Sequence, residues 1–235
     1  MTADAAEIDR LRAARERVLG RIGAACERAG RDPADVMLVA VSKTVAAERV
    51  RAAVAAGLTI LGENRVQEGE AKRPVVDGAT WHLIGPLQSN KARRAIETFD
   101  VIESVDSTAL AERLDRLVTE VDRDRRLPVL LQVNVDRDPA KAGFEPDSLD
   151  AAMDALLSLE RLEIRGLMTV GFFVDGAEAA RPTFVALRGL SDRLRARWPA
   201  LGPELSMGMT DDFEVAVEEG ATIVRVGRAL FGERH

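Results

Sequence analysis

Between residues 5 and 29, Ile8, Leu11, Val18 and Ile22 recur on one stripe among arginines and glutamates, and Gly30 follows them. That spacing predicts an amphipathic N-terminal helix closed by a glycine C-cap. Downstream the pattern changes to short, nearly continuous apolar or β-branched runs: VMLVAVS from Val36, TILGEN from Thr59, TWHLIG from Thr80, VIESV from Val101, PVLLQVNV from Pro128, LEIRGLMTV from Leu162, ELSMG from Glu204 and TIVRVG from Thr222. Parallel strands buried on both faces read this way, and the helical stretches between the runs supply their crossovers. Eight such units, with no Ser/Gly linker and no low-complexity segment, predict an α/β fold: a single (β/α)8 TIM barrel over residues 1–235 with one extra helix at the N-terminus. The competing architecture is a doubly wound open sheet, whose first strand often ends in G-x-G-x-x-G. Here the first strand ends in Ser42-Lys43-Thr44 instead.

Composition narrows the function classes. With 46% hydrophobic and 31% charged residues among 235, disorder and collagen-like structure are excluded. The 33 basic and 39 acidic side chains sum to −6, which argues against nucleic acid as a partner. One cysteine, Cys26, cannot form an internal disulfide, and two histidines leave too few ligands for a Cys/His zinc site. The N-terminus lacks the apolar core of an export signal, and no apolar run reaches the roughly 20 residues that span a bilayer. The expectation is a cytoplasmic protein without a membrane partner.

In a barrel of this kind, chemistry sits at the C-terminal ends of the strands. There the sequence places Lys43, Asn64, His82 with Gly85, Asn134, Met168, Ser206, and Arg225 with Gly227. Lys43 directly follows the first strand, so its amine would lie in a partly desolvated mouth. Burial lowers a lysine pKa, and the neutral amine attacks aldehydes; the alternative is a lysine that snorkels to solvent. The stretch from Ser206 to Asp212, and Gly227-Arg228 after the last strand, occupy the loops that commonly hold phosphate; equally, their Ser, Thr and Asp residues cap helices. Arg225 faces inward and needs a partner, either a ring nitrogen or an ion pair with Glu63, Glu103 or Glu204. His82 reads as a packed, hydrogen-bonded core residue, Ser89-Asn90-Lys91 as a helix start, and LAERLDRLVTEVDRDRR as a solvated helix face with a polar turn after it.

These segments resemble the pyridoxal phosphate homeostasis proteins, through LVAVSKT, LGENRVQE, WHLIGPLQSNK, IESVDS, LLQVNV, KAGF, IRGLMTV, LSMGMTDDFEVAVEEGATIVRVG and ALFGER. The resemblance runs over nearly the whole chain. It implies a barrel similar to the N-terminal domain of alanine racemase and a bound pyridoxal 5′-phosphate (PLP). By position it gives Lys43 the Schiff base, Asn64 the lining of the cofactor pocket, Arg225 the pyridine nitrogen, and Ser206 with Gly227 the phosphate. Met207, beside Ser206, joins the cofactor contacts, although methionines here ordinarily pack. The residue after Gly227, usually a threonine or serine, is Arg228, which leaves its backbone N–H or its guanidinium to serve the phosphate.

A permanently charged arginine at the ring nitrogen disfavours the protonated ring that carbanion chemistry uses. The chain also has no tyrosine, and so no counterpart of the tyrosine base that a second domain supplies in alanine racemases. The expectation is a PLP-binding protein for intracellular PLP homeostasis, buffering or delivering the cofactor without robust catalysis, as a monomer with PLP-dependent apo-enzymes as acceptors. Lys141 in KAGF is a candidate second amine for transfer, or else an exposed loop lysine. A small PLP-dependent racemase or lyase and a Schiff-base sugar-phosphate aldolase remain the alternatives.

Overall fold

The computed structural model describes residues 4–122, 124–172 and 175–233; Arg123, in the turn after the charge-rich helix, and Arg234, which ends the ALFGER motif, lie outside the described residues. The chain runs α1 (Ala5–Ala29), β1 (Met37–Val41), α2 (Ala47–Ala55), β2 (Ile60–Glu63), α3 (Val66–Lys72), β3 (Thr80–Leu83), α4 (Ala92–Thr98), β4 (Val101–Val105), α5 (Thr108–Val121), β5 (Leu127–Gln132), α6 (Pro146–Leu157), β6 (Leu162–Met168), α7 (Arg181–Arg197), β7 (Glu204–Met209), α8 (Phe213–Glu218), β8 (Ile223–Val226) and α9 (Arg228–Phe231). The strands close in sequence order into a barrel, with β1 pairing β8 in parallel from Met37↔Ile223 to Ala40↔Val226. Each predicted apolar run coincides with one of these strands, with β5 starting one residue earlier at Leu127 and β7 ending one later at Met209, so the closed barrel replaces the open-sheet alternative.

Alternation along the strands divides the core in two. Val39, Leu130, Met168 and Ile223 point inward and pack with Met37 and Ile60. Their neighbours Ala40, Leu131, Leu167 and Val224 point outward into the larger cluster beneath the helices. Both faces are thus apolar, which is why the strands read as unbroken runs rather than alternating ones.

The N-terminal helix has its predicted bounds, with Asp4 accepting from the Ala6 amide at one end and Gly30 at φ 65° at the other. It buries Leu11, Ala14, Val18 and Ile22 and packs on α2, α8 and α9. Arg21 to Glu214 and Arg28 to Glu218, both at 2.7 Å, tie its exposed edge to α8. Because α8 and α9 follow β7 and β8, α1 braces the segments that carry the last two mouth loops. No helix among the described residues is long and apolar enough to cross a membrane.

Candidate functional site

Lys43 stands two residues past the inward-facing Val41, and the same period directs its side chain toward the barrel mouth. It borders a cavity of about 230 Å³ with Thr44, Arg49, Gly227, Arg228 and Phe231. The strand 1 and strand 8 turns therefore meet around one amine. Gly227 caps α9, and its carbonyl accepts from the Leu230 and Phe231 amides at 3.0 and 2.9 Å. The Gly227 amide donates to Oγ1 of Thr210, from the strand 7 loop, at 3.3 Å. The Arg228 guanidinium pairs with Asp211, with Glu233, which also lines the cavity, at 3.7 Å.

Asn64 directly follows β2 on the same rim, where it borders a separate cavity of about 310 Å³ with Gln88 and Lys91. Its Oδ1 is buried and has no hydrogen-bond partner, an uncommon condition for a buried polar atom. Gly85 makes this placement possible, because a Cβ there would lie 2.3 Å from the Asn64 carbonyl oxygen. The glycine of TWHLIG thus has a packing reason at the site.

Below the rim the barrel interior holds a continuous polar chain. His82 Nδ1 and Glu103 Oε1 are 2.6 Å apart, Ser206 Oγ donates to Glu103 Oε2 at 2.5 Å, and Arg225 Nη1 donates to Ser206 Oγ at 2.6 Å. Arg225 Nη2 donates to the Thr169 carbonyl at 2.7 Å. All four side chains are buried. Burial alone would raise the Glu103 pKa; the His82 hydrogen bond and charge, the Arg225 charge and the Ser206 hydroxyl together hold it below its ordinary value. The carboxylate is ionised and His82 donates to it. Burial likewise pulls the Arg225 guanidinium below its ordinary value, against the pull of Glu103 and Asp212. Arg225 reaches Glu103 through Ser206. Glu63 lies outside the barrel wall, and Glu204 begins β7 at the opposite end.

The structure thus brings Lys43, Gly227 and Arg228 around one cavity, with Asn64 on the same rim and Arg225 and Ser206 beneath it. Ser206 Oγ is occupied on both sides by Glu103 and Arg225. Met207 points outward into the core under the helices, leaving its backbone on the strand. Asn134 folds the strand 5 loop by accepting from the Asp138 amide and donating to its carbonyl. Lys141 lines a different cavity, of about 400 Å³, with its Nζ 4.7 Å over the Phe172 ring and 3.8 Å from Asp138.

A second buried cluster lies on the outer side of β1 and β2. Lys72 of α3 donates to Glu63 Oε1 and to the Ser42 carbonyl, both at 2.7 Å, and Ser42 Oγ donates to the same Glu63 oxygen at 2.7 Å. Burial raises the Glu63 pKa against these partners. One helical turn earlier, Glu68 Oε2 accepts from the Thr44 amide at 2.8 Å. Thr44 has φ 65°, a conformation that a β-branched residue rarely adopts. The signal for this cluster in the sequence is that Glu63 falls on the outward parity of an otherwise apolar strand.

A lysine amine at the mouth, an amide oxygen free to accept, an anchored arginine below and the backbone of a short helix start form a set of groups that suits an aldehyde-bearing, phosphorylated, ring-nitrogen compound. PLP has this chemistry, so the residues present fit the cofactor implied by the resemblance.

Fold and site together define a barrel of the alanine racemase N-terminal type, and residues 21–235 match the family described as alanine racemase, N-terminal domain. Within that class the chain belongs to the pyridoxal phosphate homeostasis protein family. It is 42% identical over 222 residues to the pyridoxal phosphate homeostasis protein of Aquifex aeolicus, covering 93% of this chain and 96% of that one. To the Pseudomonas aeruginosa protein of the same name it is 44% identical over 224 residues, covering 93% of each. The solved structure of PipY from Synechococcus elongatus with PLP bound superposes with a TM-score of 0.80 at 44% identity, covering 92% of this chain and all of that one.

Proposed function

We propose that this chain binds PLP through a Schiff base on Lys43 and serves intracellular PLP homeostasis by buffering or delivering the cofactor. The observation that carries this reading is the meeting of Lys43 with the Gly227-Arg228 turn around one cavity. PLP supplies an aldehyde that condenses with a primary amine, releasing water. Lys43 provides that amine, and the Gly227-Arg228 turn that opens α9, with Thr210 beside it, holds the phosphate. Arg225 donates to the ring nitrogen, and Asn64 lines the pocket. Ser206 takes part by fixing Arg225, since its hydroxyl is already bonded to both Arg225 and Glu103. Met207 contributes through its backbone. The names of the Aquifex and Pseudomonas relatives and the PLP-bound PipY structure support the same cofactor.

The proposal extends to one domain acting as a cytoplasmic monomer, with PLP-dependent apo-enzymes as acceptors. Holding a reactive aldehyde on one lysine keeps it from other cellular amines, and transimination to an acceptor amine releases it. Borohydride reduction of protein incubated with PLP, followed by peptide mass mapping, tests the linkage. The expected result is a pyridoxyl group on Lys43 that disappears in Lys43→Ala; no adduct, or one confined to other lysines, overturns the reading.

A further inference from the structure

Lys43 is flanked by two backbone groups that α3 holds at once. The carbonyl before it, of Ser42, accepts from Lys72 Nζ at 2.7 Å, and the amide after it, of Thr44, donates to Glu68 Oε2 at 2.8 Å. Glu68 and Lys72 are four residues apart, on one helix face, with Nζ and Oε2 3.7 Å from each other. Lys72 is in turn fixed by Glu63, which is fully buried and also receives Ser42 Oγ. The backbone immediately past the second clamped group is not in a relaxed conformation, since Thr44 sits at φ 65°. A non-glycine residue persists there when its surroundings over-determine it, and such positions cluster at functional sites. Neither Glu68 nor Lys72 lines the cavity, and both bonds are made to backbone atoms of the residues on either side of Lys43.

We propose that Glu68 and Lys72 are positioning residues for Lys43: a two-point clamp from α3 that sets the direction in which the lysine enters the barrel mouth. The inference rests on the reading of Lys43 as the PLP-linking amine. Their role is one of position: each holds a backbone group next to Lys43. The same helix follows Asn64 by one residue, which ties the orientation of the amine to that of the pocket wall.

Glu68 is the residue to alter, because its side chain is about a quarter exposed, whereas removing Lys72 strands the buried Glu63. Glu68→Ala removes the acceptor of the Thr44 amide, while Glu68→Gln retains an amide oxygen that can accept it. PLP is titrated into wild type, Lys43→Ala and both Glu68 variants, and the absorbance of the lysine adduct is followed against pH, with thermal melts in parallel. The expected result for Glu68→Ala is PLP affinity weaker by about tenfold, the loss of a hydrogen bond to a charged group. The pH dependence of adduct formation should also shift, and most of both effects should be recovered in Glu68→Gln. Affinity and pH profile in Glu68→Ala equal to wild type overturn the clamp while leaving the PLP reading intact. Equal losses in Glu68→Gln and Glu68→Ala also overturn it, because acceptance from Thr44 would then not be the operative contact. Absence of any Lys43 adduct in wild type overturns the PLP reading itself, and the clamp with it.

Discussion

Glu103 shows how one buried residue fixes the polarity of the barrel interior. Both carboxylate oxygens are engaged, by His82 on one side and by Ser206 on the other, and Ser206 passes the constraint on to Arg225. Glu103→Gln places an amide where the Ser206 hydroxyl now donates, and that hydroxyl hydrogen loses its acceptor. The expected cost is about 2 kcal/mol at neutral pH, that of an unsatisfied buried group, read from urea unfolding. The sign of the pH dependence follows from the folded-state pKa of Glu103, which lies below its ordinary value. Its stabilisation is present above the unfolded-state pKa and is lost as the pH falls through the folded-state one. The gap between wild type and Glu103→Gln should therefore narrow on acidification through and below the ordinary carboxylate range. A gap that stays constant or widens would refute an ionised Glu103. At this scale the sequence was legible in placement: Lys43, Asn64 and Arg225 lie at or just past the C-terminal ends of β1, β2 and β8. It was silent on Arg225 meeting Glu103 through Ser206, because that link depends on the stagger of β4, β7 and β8 around the barrel. Register shifts at Ile102/Val105 and Ser206/Met209 set that stagger, and no local pattern encodes them.

Among the elements, α1 illustrates the opposite case, in which the pattern alone specified the outcome. Its apolar stripe and terminal Gly30 gave the bounds, and the structure adds what the stripe meets: α2, α8 and α9. Leu11 is fully buried in this layer, so Leu11→Ala is expected to cost about 2–5 kcal/mol in urea unfolding, the range for leucine truncation in a packed core. A loss below 1 kcal/mol would mean that α1 is dispensable to the barrel. The strands were legible for a related reason: both faces are buried, so each is a compact apolar run between polar helical segments. The helix α3 carries no comparable signal: only the fold shows that its Glu68 and Lys72 reach back to Thr44 and Ser42. A short helix whose charged face turns toward a strand end cannot be distinguished by periodicity from one whose charges face water.

At the scale of the whole molecule, the barrel supplies what a PLP protein needs for holding the cofactor and little of what one needs for carbanion chemistry. On the proposed reading, Arg225, anchored by Ser206 and the Thr169 carbonyl, would present a cation where a protonated ring nitrogen requires a carboxylate, which would make the ring a weak electron sink. The family match is to the N-terminal domain of alanine racemase, and the chain carries no tyrosine to act as the opposing base. Lys43 remains as a proton carrier on one side only, and a two-base racemisation needs a group on each face of the substrate carbon. Incubated in deuterated buffer with PLP and a broad panel of amino acids, the protein is therefore expected to exchange α-protons no faster than the same concentration of free PLP, measured by proton NMR. Exchange well above that rate, abolished in Lys43→Ala, would move the protein from carrier to enzyme and require a second proton-transfer group. His82 does not fill that role as it stands: it is buried beneath the rim and its Nδ1 is committed to Glu103.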